Sequence, residues 1–272
     1  MLWFWFALIL AILASTCISF ELRNFDYEWG DWGPICRHRQ TNKLARSFVV
    51  DTYWNHSFTS PWQQVTGEKI QHKTKASVAR SEDLGNTGAW AIDNDYIYSF
   101  DKGLAQRLVD DIFLNSTLVE VGAGLGCYAS FFSKLLQSKQ LGGYLAVDGA
   151  PHVDEISKRS VLRVDMTLPQ RLPICDWVLC LEVAEHIPAK FEEIFLRNML
   201  NVASKGIVLS WASNCHRGVG HVNCKTRDEF VELLESPKYG MKYEEGLTAA
   251  MGRSVDYHYF KSSLAVFTKK GI

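Results

Sequence analysis

The sequence carries almost no net charge and contains no block of basic residues. Its 29 Lys and Arg residues are offset by 30 Asp and Glu residues, which leaves a formal net charge of −1. A surface of this kind has no strong positive field to attract the phosphates of a nucleic acid. We therefore expect no nucleic-acid partner.

The sequence also lacks internal repeats, low-complexity tracts and the closely paired cysteines of common zinc sites. The nearest approach to a metal cluster is Cys215, His216, His221 and Cys224, but their spacing fits no C-x₂-C pattern. We predict no metal site from this pattern. A hydrophobic content of 47% over 272 residues is enough for one large domain, or for one domain with an appendage.

The longest apolar run lies at the N-terminus, where residues 2–14 contain no polar side chain. This run is shorter than the ~20 residues of a typical membrane-spanning helix, and small residues follow it up to Ser19. The pattern predicts a signal peptide over residues 1–19, and hence a secreted protein or one of the endoplasmic reticulum lumen. Two sequons, at Asn55 and Asn115, agree with entry into the secretory pathway. An uncleaved signal that tethers the protein to a membrane stays open as the alternative, and the absence of a charged segment before the run does not favour either prediction.

Six cysteines follow the leader, an even number that permits disulfides in an oxidising compartment. Cys215 and Cys224 flank one loop and form the most credible pair. Cys127 begins an apolar helical pattern and Cys180 lies in an apolar strand pattern, so we expect both as buried thiols.

Residues 20–95 are rich in aromatic residues and show no long helical period. We expect them to form an irregular N-terminal extension that caps the main domain. The main domain is predicted over residues 96–272.

The main domain is organised around a short strand and the glycine loop that follows it. Thr117–Val121 is a β-branched apolar run, which predicts a buried strand. Gly122, Gly124 and Gly126 follow at a spacing of two, and an apolar-periodic helix comes next. Glycine permits a sharp turn and a close approach to a ligand, and the helix start directs free N–H groups towards it.

Acidic residues stand at or near the ends of four predicted strands. Asp148 ends an apolar run and follows Gly126 by 22 residues, close to the ~20-residue spacing at which an acid meets ribose hydroxyls. Asp165 and Glu182 end two further strands, and Glu120 lies in the strand before the glycine loop. Because ligands of parallel α/β sheets bind at the carboxyl ends of the strands, these acids predict one shared site.

Predicted strands alternate with predicted helices, which indicates a parallel α/β sheet covered on both faces. Thr226 to Glu229 also form a capping-box pattern. The other predicted elements are helices at 100–113, 188–200 and 226–234 and strands at 144–148, 161–164, 177–183, 206–211, 241–245 and 264–268.

The loop spacing discriminates between two nucleotide-type cofactors. Nicotinamide enzymes favour G-x-G-x-x-G/A, whereas this loop has G-x-G-x-G with Cys127 in the sixth place. The acid at Glu120 suits a cofactor with an ammonium and a sulfonium better than one with a pyrophosphate. A nicotinamide-dependent oxidoreductase is therefore the disfavoured alternative.

Over residues 96–272 the order of motifs resembles the class I S-adenosylmethionine-dependent methyltransferase superfamily. The loop from Glu120 to Gly126 is similar to the first motif of that superfamily, E/D-x-G-x-G-x-G. Residues 176–188 resemble the D-x-V-x-x-x-x-V-x-E-H-I segment of small-molecule methyltransferases of the ubiquinone-biosynthesis type, and residues 206–223 resemble a poorly characterised animal and viral branch. The resemblance implies a doubly wound, Rossmann-like α/β fold. Its seven-stranded sheet is mostly parallel with an antiparallel last strand.

The resemblance also implies S-adenosylmethionine as the cofactor and assigns its contacts. The three loop glycines would accommodate the methionine moiety and the ribose, and Glu120 would hold the loop and approach the amino group. Asp148 would accept both ribose hydroxyls. Asp165, with Met166 beside it, would meet the adenine amino group, and Glu182 would close the fourth strand on the substrate side.

His186 and His221 are the candidate general bases, since imidazole titrates near neutral pH. The alternative for His186 is to brace the helix after the fourth strand with Glu185, and for His221 to bond the backbone of its loop. The predicted function is methyl transfer to a small-molecule acceptor. Methylation of base amino groups is disfavoured, because the sequence lacks an N/D-P-P-Y-type tetrapeptide. A catalytically silent cofactor-binding or interaction protein on the same fold is the alternative function.

Overall fold

The computed structural model describes residues 84–91, 100–216 and 218–271, together with three short strands nearer the N-terminus. These strands form a separate antiparallel sheet in the order β1-β2-β3 and are Phe25–Gly30 (β1), Gly33–His38 (β2) and Lys43–Leu44 (β3). They lie in the segment predicted to be irregular, and the sequence analysis did not predict them. The predicted leader and Asn55 lie outside the described residues.

The main sheet has seven strands in the order β6-β5-β4-β7-β8-β10-β9. Strands β4 to β8 pair in parallel, whereas β10 runs antiparallel to both of its neighbours. This arrangement confirms the predicted seven-stranded, mostly parallel sheet with an antiparallel last strand. The strands are Thr117–Val121 (β4), Gly143–Asp148 (β5), Leu162–Arg163 (β6), Cys175–Cys180 (β7), Ala203–Ser210 (β8), Met241–Tyr243 (β9) and Leu264–Lys269 (β10).

Helices cover both faces of this sheet. The first predicted helix divides into an α-helical part and a π-helical turn at Val109–Phe113. The capping box is confirmed, because Thr226 and Glu229 exchange side-chain to backbone hydrogen bonds at the start of the helix that begins at Arg227. The α-helices in the described ranges are Lys102–Leu108 (α1), Cys127–Gln137 (α2), Val153–Ile156 (α3), Glu192–Leu200 (α4), Arg227–Glu235 (α5), Glu245–Ser254 (α6) and Phe260–Ser263 (α7).

The core consists of two apolar layers separated by the sheet. In β4, Leu118 packs into the layer formed with α1, α2 and α6, and Val119 packs into the layer formed with α4 and α5. Successive side chains of a strand point to opposite faces, so a strand covered on both sides must be apolar throughout. This requirement explains the continuous apolar runs of the sequence. The parallel pairing of β4 to β8 places the carboxyl ends of these strands along one edge of the sheet.

Several predicted boundaries were wrong. Strand β7 ends at Cys180 and not at Val183, because the chain turns at Glu182, whose φ of 56° is left-handed. Glu245 begins α6 and does not end β9. In the described part of the chain, no helix is both long enough and apolar enough to cross a bilayer.

The predicted disulfide between Cys215 and Cys224 is confirmed. It closes the loop that carries His221. Cys180 is a buried thiol as predicted, but Cys127 is only half-buried, since it begins α2 next to the glycine loop.

Candidate functional site

A cavity of about 360 Å³ opens at the carboxyl ends of the parallel strands. The sequence analysis named ten site residues, and eight of them line this cavity: Glu120, Gly122, Asp148, Asp165, Met166, Glu182, His186 and His221. Gly124 and Gly126 do not line it but shape the loop beneath it. The topology therefore brings the predicted site residues together.

The glycine loop depends on backbone conformations that glycine adopts most readily. The φ angles of Gly122, Gly124 and Gly126 are 78°, 54° and 85°, all in the left-handed region. A Cβ on Gly122 would also overlap the side chain of Val183, which packs directly against the loop. The loop is held to β5 because the Gly122 N–H donates to the Val147 carbonyl over 2.8 Å.

Asp148 fastens the glycine loop to the end of β5. Its Oδ2 accepts the Gly124 N–H over 2.8 Å, and its Oδ1 accepts the Ala150 N–H over 2.7 Å. Burial raises the pKa of Asp148, and the two amide donors partly oppose that rise. Each carboxylate oxygen can accept a second hydrogen bond, so the side chain can hold the loop and still receive ribose hydroxyls.

Glu120 is a buried acid beneath the loop, and the Tyr144 hydroxyl donates a hydrogen bond to its carboxylate. Burial raises the pKa of Glu120 to about 7, the Tyr144 hydrogen bond lowers it, and the nearby charge of Asp148 raises it further. A cation bound in the cavity would favour the ionised form of Glu120.

Asp165 and Met166 line the cavity after β6, a strand of only two residues. The Oδ1 of Asp165 accepts both the N–H of Thr167 over 2.9 Å and its hydroxyl over 2.6 Å. These two hydrogen bonds fix the side chain of Asp165 at the cavity directly after a short strand.

Glu182 stands in the left-handed turn after β7. Its N–H donates to the Ser210 hydroxyl, and that hydroxyl donates in turn to Glu182 Oε1, each over 2.7 Å. Burial raises the pKa of Glu182, whereas hydrogen bonds from Ser210 and Ser263 lower it. These bonds hold an uncommon backbone conformation at the mouth of the cavity.

His186 and His221 meet although they lie far apart in sequence. Their ring centroids are 4.9 Å apart in an edge-to-face arrangement. His186 Nδ1 lies 3.0 Å from the Gly220 carbonyl oxygen, and because a carbonyl only accepts, this nitrogen carries the proton. Burial lowers the pKa of His186 to about 4, and burial also lowers the pKa of His221.

Sequence reasoning missed the importance of Glu185. Its side chain is completely buried, and neither carboxylate oxygen has a hydrogen-bond partner among the described residues. Burial and the charge of Glu182 raise the pKa of Glu185 to about 8. The backbone amides of Glu185 and Ala212 partly oppose this rise, although neither amide forms a hydrogen bond with a carboxylate oxygen of Glu185. The signal available in the sequence was an acid directly before the candidate base.

The segment from Thr87 to Trp90 forms one wall of the cavity, although it belongs to the predicted N-terminal extension. Trp90 packs edge-on against His186 with ring centroids 5.2 Å apart. Gly88 has a φ of 84°, and a Cβ there would overlap the His186 carbonyl. This wall could not be placed from the sequence, because the segment shows no periodic pattern.

No family model and no curated protein matches the sequence. Solved structures with a similar fold include magnesium protoporphyrin IX methyltransferase from Synechocystis PCC 6803 with bound SAM, at 15% identity and a TM-score of 0.44, covering 61% of this chain and 76% of that one. Another is the N-methyltransferase NodS from Bradyrhizobium japonicum WM9 with S-adenosyl-l-homocysteine, at 15% identity and a TM-score of 0.44, covering 61% and 84%. A TehB-like SAM-dependent methyltransferase from Corynebacterium glutamicum has 17% identity and a TM-score of 0.43, covering 62% and 87%. All three structures share the fold of this chain.

Proposed function

We propose that the protein is a class I S-adenosylmethionine-dependent methyltransferase that acts on a small-molecule acceptor in the secretory pathway. The observation that carries the proposal is the meeting of four acids in one cavity at the carboxyl ends of parallel strands. These acids are Glu120, Asp148, Asp165 and Glu182.

The residues of the cavity fit an adenosyl sulfonium compound. Two backbone amides hold the Asp148 carboxylate in place at the cavity, and a carboxylate held in this position suits a ribose diol. Gly122 and Val183 both line the cavity, and the glycine lets the loop pack against Val183 where a Cβ would overlap that side chain. Glu120 provides a buried acid that a cationic methionine moiety would ionise.

The cofactor would supply a methyl group on a positively charged sulfur, which is open to in-line displacement. The task of the chain is then to align an acceptor and to exclude water. The acceptor side of the cavity is lined by Tyr128, Glu182, His186, Val219, His221 and Tyr259. This mixture of apolar and polar side chains suits a small organic acceptor.

His186 is an imperfect general base. Its Nε2 is the nitrogen without the proton, but a pKa of about 4 makes it a weak proton acceptor at neutral pH. This observation favours the second candidate function, a protein that binds the cofactor without catalysing methyl transfer.

The proposed compartment is supported by three observations. Residues 2–14 have the composition of a signal sequence. The disulfide of Cys215 and Cys224 suits an oxidising environment. Asn115, in one of the two sequons, is exposed in the turn before β4. Expression in a secretory host, with analysis of the mature N-terminus and of Asn115 for glycan, tests this part of the proposal.

Calorimetry of the full chain with S-adenosylmethionine, S-adenosylhomocysteine and NAD tests the cofactor. We expect binding of the first two and none of NAD, and tighter binding of NAD would refute the proposal. Labelled methyl transfer to a broad panel of small molecules then separates the two candidate functions. Cofactor binding without transfer to any acceptor would favour the silent protein.

A further inference from the structure

Glu185, His186 and His221 form a cluster in which each residue offers one ligand atom within 4.8 Å of the others. His186 and His221 line the acceptor side of the cavity, whereas Glu185 is fully buried next to His186 and does not line it. We propose that this cluster binds a divalent transition-metal cation, Zn²⁺ above all, and that the cation holds the oxygen of the methyl acceptor. The second half of this proposal rests on the proposed methyltransferase function, whereas the first half does not.

Glu185 is the strongest reason for a cation. A buried carboxyl group normally has hydrogen-bond or charge partners, because its desolvation is costly. Both Glu185 oxygens lack a partner, and in the described part of the chain no lysine or arginine lies within ion-pair distance of them. The amides of Val222 and Asn223 donate instead to the Glu185 backbone carbonyl, which fixes the residue without satisfying its side chain.

His186 has the orientation of a metal ligand. Its Nδ1–H donates to the Gly220 carbonyl over 3.0 Å, which leaves the Nε2 lone pair without the proton. Metal-bound histidines almost always donate the other ring N–H to a carboxylate, a backbone carbonyl or water, because this bond fixes the tautomer and the ring. Trp90 and His221 pack edge-on against the same ring and restrict its rotation further.

His221 completes the cluster from the loop after β8. Its Nδ1 is buried without a hydrogen-bond partner, and its Nε2 lies 4.0 Å from Glu185 Oε1. The Cys215–Cys224 disulfide closes this loop, and Gly218 packs so tightly on the imidazole that a Cβ there would overlap it. The loop is therefore built to hold the ring against Glu185.

Two imidazoles and one carboxylate are the ligands of transition metals and not of Mg²⁺ or Ca²⁺. Three protein ligands leave at least one coordination position for a substrate oxygen. A cation there lowers the pKa of a bound hydroxyl, so the hydroxyl can lose its proton without a histidine as general base. The acceptor would then be a hydroxyl compound. Its oxygen forms a bond to the methyl carbon as the carbon–sulfur bond breaks, the sulfur leaves as a neutral thioether, and the hydroxyl proton passes to water.

The test measures metal binding by the full chain. The chain is stripped with a chelator and dialysed. Zn²⁺ is then titrated in competition with a chromophoric chelator, and bound metal is counted by elemental mass spectrometry. The variants are Glu185→Gln and His221→Asn, and the matched control is His216→Asn, an exposed histidine of the same loop. We expect about one Zn²⁺ per chain in the wild type and the control, and at least about tenfold weaker binding in both variants.

Gly218→Ala keeps all three ligands but displaces the His221 ring, so it tests the geometry if the other variants do not fold. We expect weaker Zn²⁺ binding and a changed visible spectrum of the Co²⁺-loaded chain. Equal Zn²⁺ binding by wild type, Glu185→Gln, His221→Asn and Gly218→Ala would overturn the site, as would a wild type that retains no metal.

Calorimetry with S-adenosylmethionine separates the two halves of the proposal. Metal binding without cofactor binding would refute the proposed function and leave the metal site standing. Cofactor binding without metal binding would refute the metal site and leave the proposed function standing. Methyl transfer that is unchanged after removal of Zn²⁺ would refute the role of the cation in holding the acceptor.

Discussion

The cavity has two sides that differ in how their buried polar groups are satisfied. On the side of β4 and β5, backbone amides donate to both oxygens of Asp148. On the side of β7 and β8, the Nδ1 of His221 and both oxygens of Glu185, which is buried next to the lining residue His186, have no hydrogen-bond partner among the described residues. The first side is complete by itself and is ready to receive a ligand. On the second side, the proposed cation would supply the partner that the described residues do not provide.

The two sides also differ in which residues adopt the left-handed backbone conformation. The first side obtains its left-handed turns from glycine, at Gly122, Gly124 and Gly126. The second side places a glutamate, Glu182, in the left-handed region and offsets the strain with hydrogen bonds to Ser210. Strain in a non-glycine residue is typical of functional sites. Glu182 lies three positions before Glu185, whose carboxylate has no hydrogen-bond partner among the described residues.

The largest expected effect concerns the fit of the glycine loop. Gly122→Ala should lower the free energy of unfolding by about 3–4 kcal/mol, because it adds a left-handed Cβ and an overlap with Val183. Gly240→Ala is the matched control, since Gly240 also has a positive φ but no neighbour within 4 Å of a Cβ. We expect about 1–2 kcal/mol for the control. Urea denaturation measures both, and equal losses would contradict the close packing of the loop.

The second effect concerns Glu120 and pH. Its pKa of about 7 in the folded protein lies above the ordinary value of 4.5, so the unfolded chain ionises first as pH rises. The stability associated with the protonated group is present in full below pH 4.5 and is lost as pH rises to 7, a change of about 3 kcal/mol. Glu120→Gln should lack this loss, so the variant should gain on the wild type across that interval.

Denaturation of both proteins between pH 4 and pH 8 measures the difference. Tyr144→Phe sharpens the test. Removal of the hydroxyl donor should raise the pKa of Glu120 in the folded protein further, and this should move the upper end of the pH interval upwards. A constant stability difference between wild type and Glu120→Gln at every pH would contradict the raised pKa. Titration with S-adenosylmethionine gives a further check, because a bound cation should release the proton from Glu120 near pH 7.

The third effect concerns the loop that carries His221. Replacing Cys215 and Cys224 with serine should lower the free energy of unfolding by about 2–3 kcal/mol, as expected for a disulfide that closes a short loop. The same variant should bind Zn²⁺ more weakly and bind S-adenosylmethionine as the wild type does. Loss of cofactor affinity in the double variant would show that the two sides are not independent. Reduction of the wild type is the control, since it should reproduce the variant.

The sequence was enough to predict the first side of the cavity and most of the sheet. Gly122, Asp148 and the apolar strands follow local rules of spacing and periodicity, which hold wherever a strand, a tight turn and a helix follow each other. Helix α6 was missed because its residues of mixed polarity follow a strand without a turn signal. The π-helical turn at Val109–Phe113 was also missed, since it repeats the apolar period of an α-helix.

On the second side, the sequence analysis named His186 and His221 as candidate bases, but it could not predict the cluster that they form with Glu185, because long-range packing creates it. His186 and His221 are 35 positions apart and become neighbours only because β7 and β8 pair in parallel, so that the segments after both strands lie at the same edge of the sheet. Glu185 differs from an ordinary surface acid only through complete burial, which a single sequence does not reveal. The metal-type cluster that the sequence offered, around Cys215 and Cys224, is instead closed by a disulfide.

The smallest expected effect tests the division of the cavity itself. Asp148→Ala should weaken binding of S-adenosylmethionine by ~1–3 kcal/mol, because it removes charge-assisted hydrogen bonds to the ribose and releases the Gly124 and Ala150 amides. Glu185→Gln, next to His186 on the side of β7, should leave cofactor affinity unchanged while it weakens metal binding. Calorimetry of both folded variants decides the matter. If Glu185→Gln weakened cofactor binding as much as Asp148→Ala, the two sides would form one connected site, and the partnerless state of Glu185 would belong to the cofactor and not to a metal.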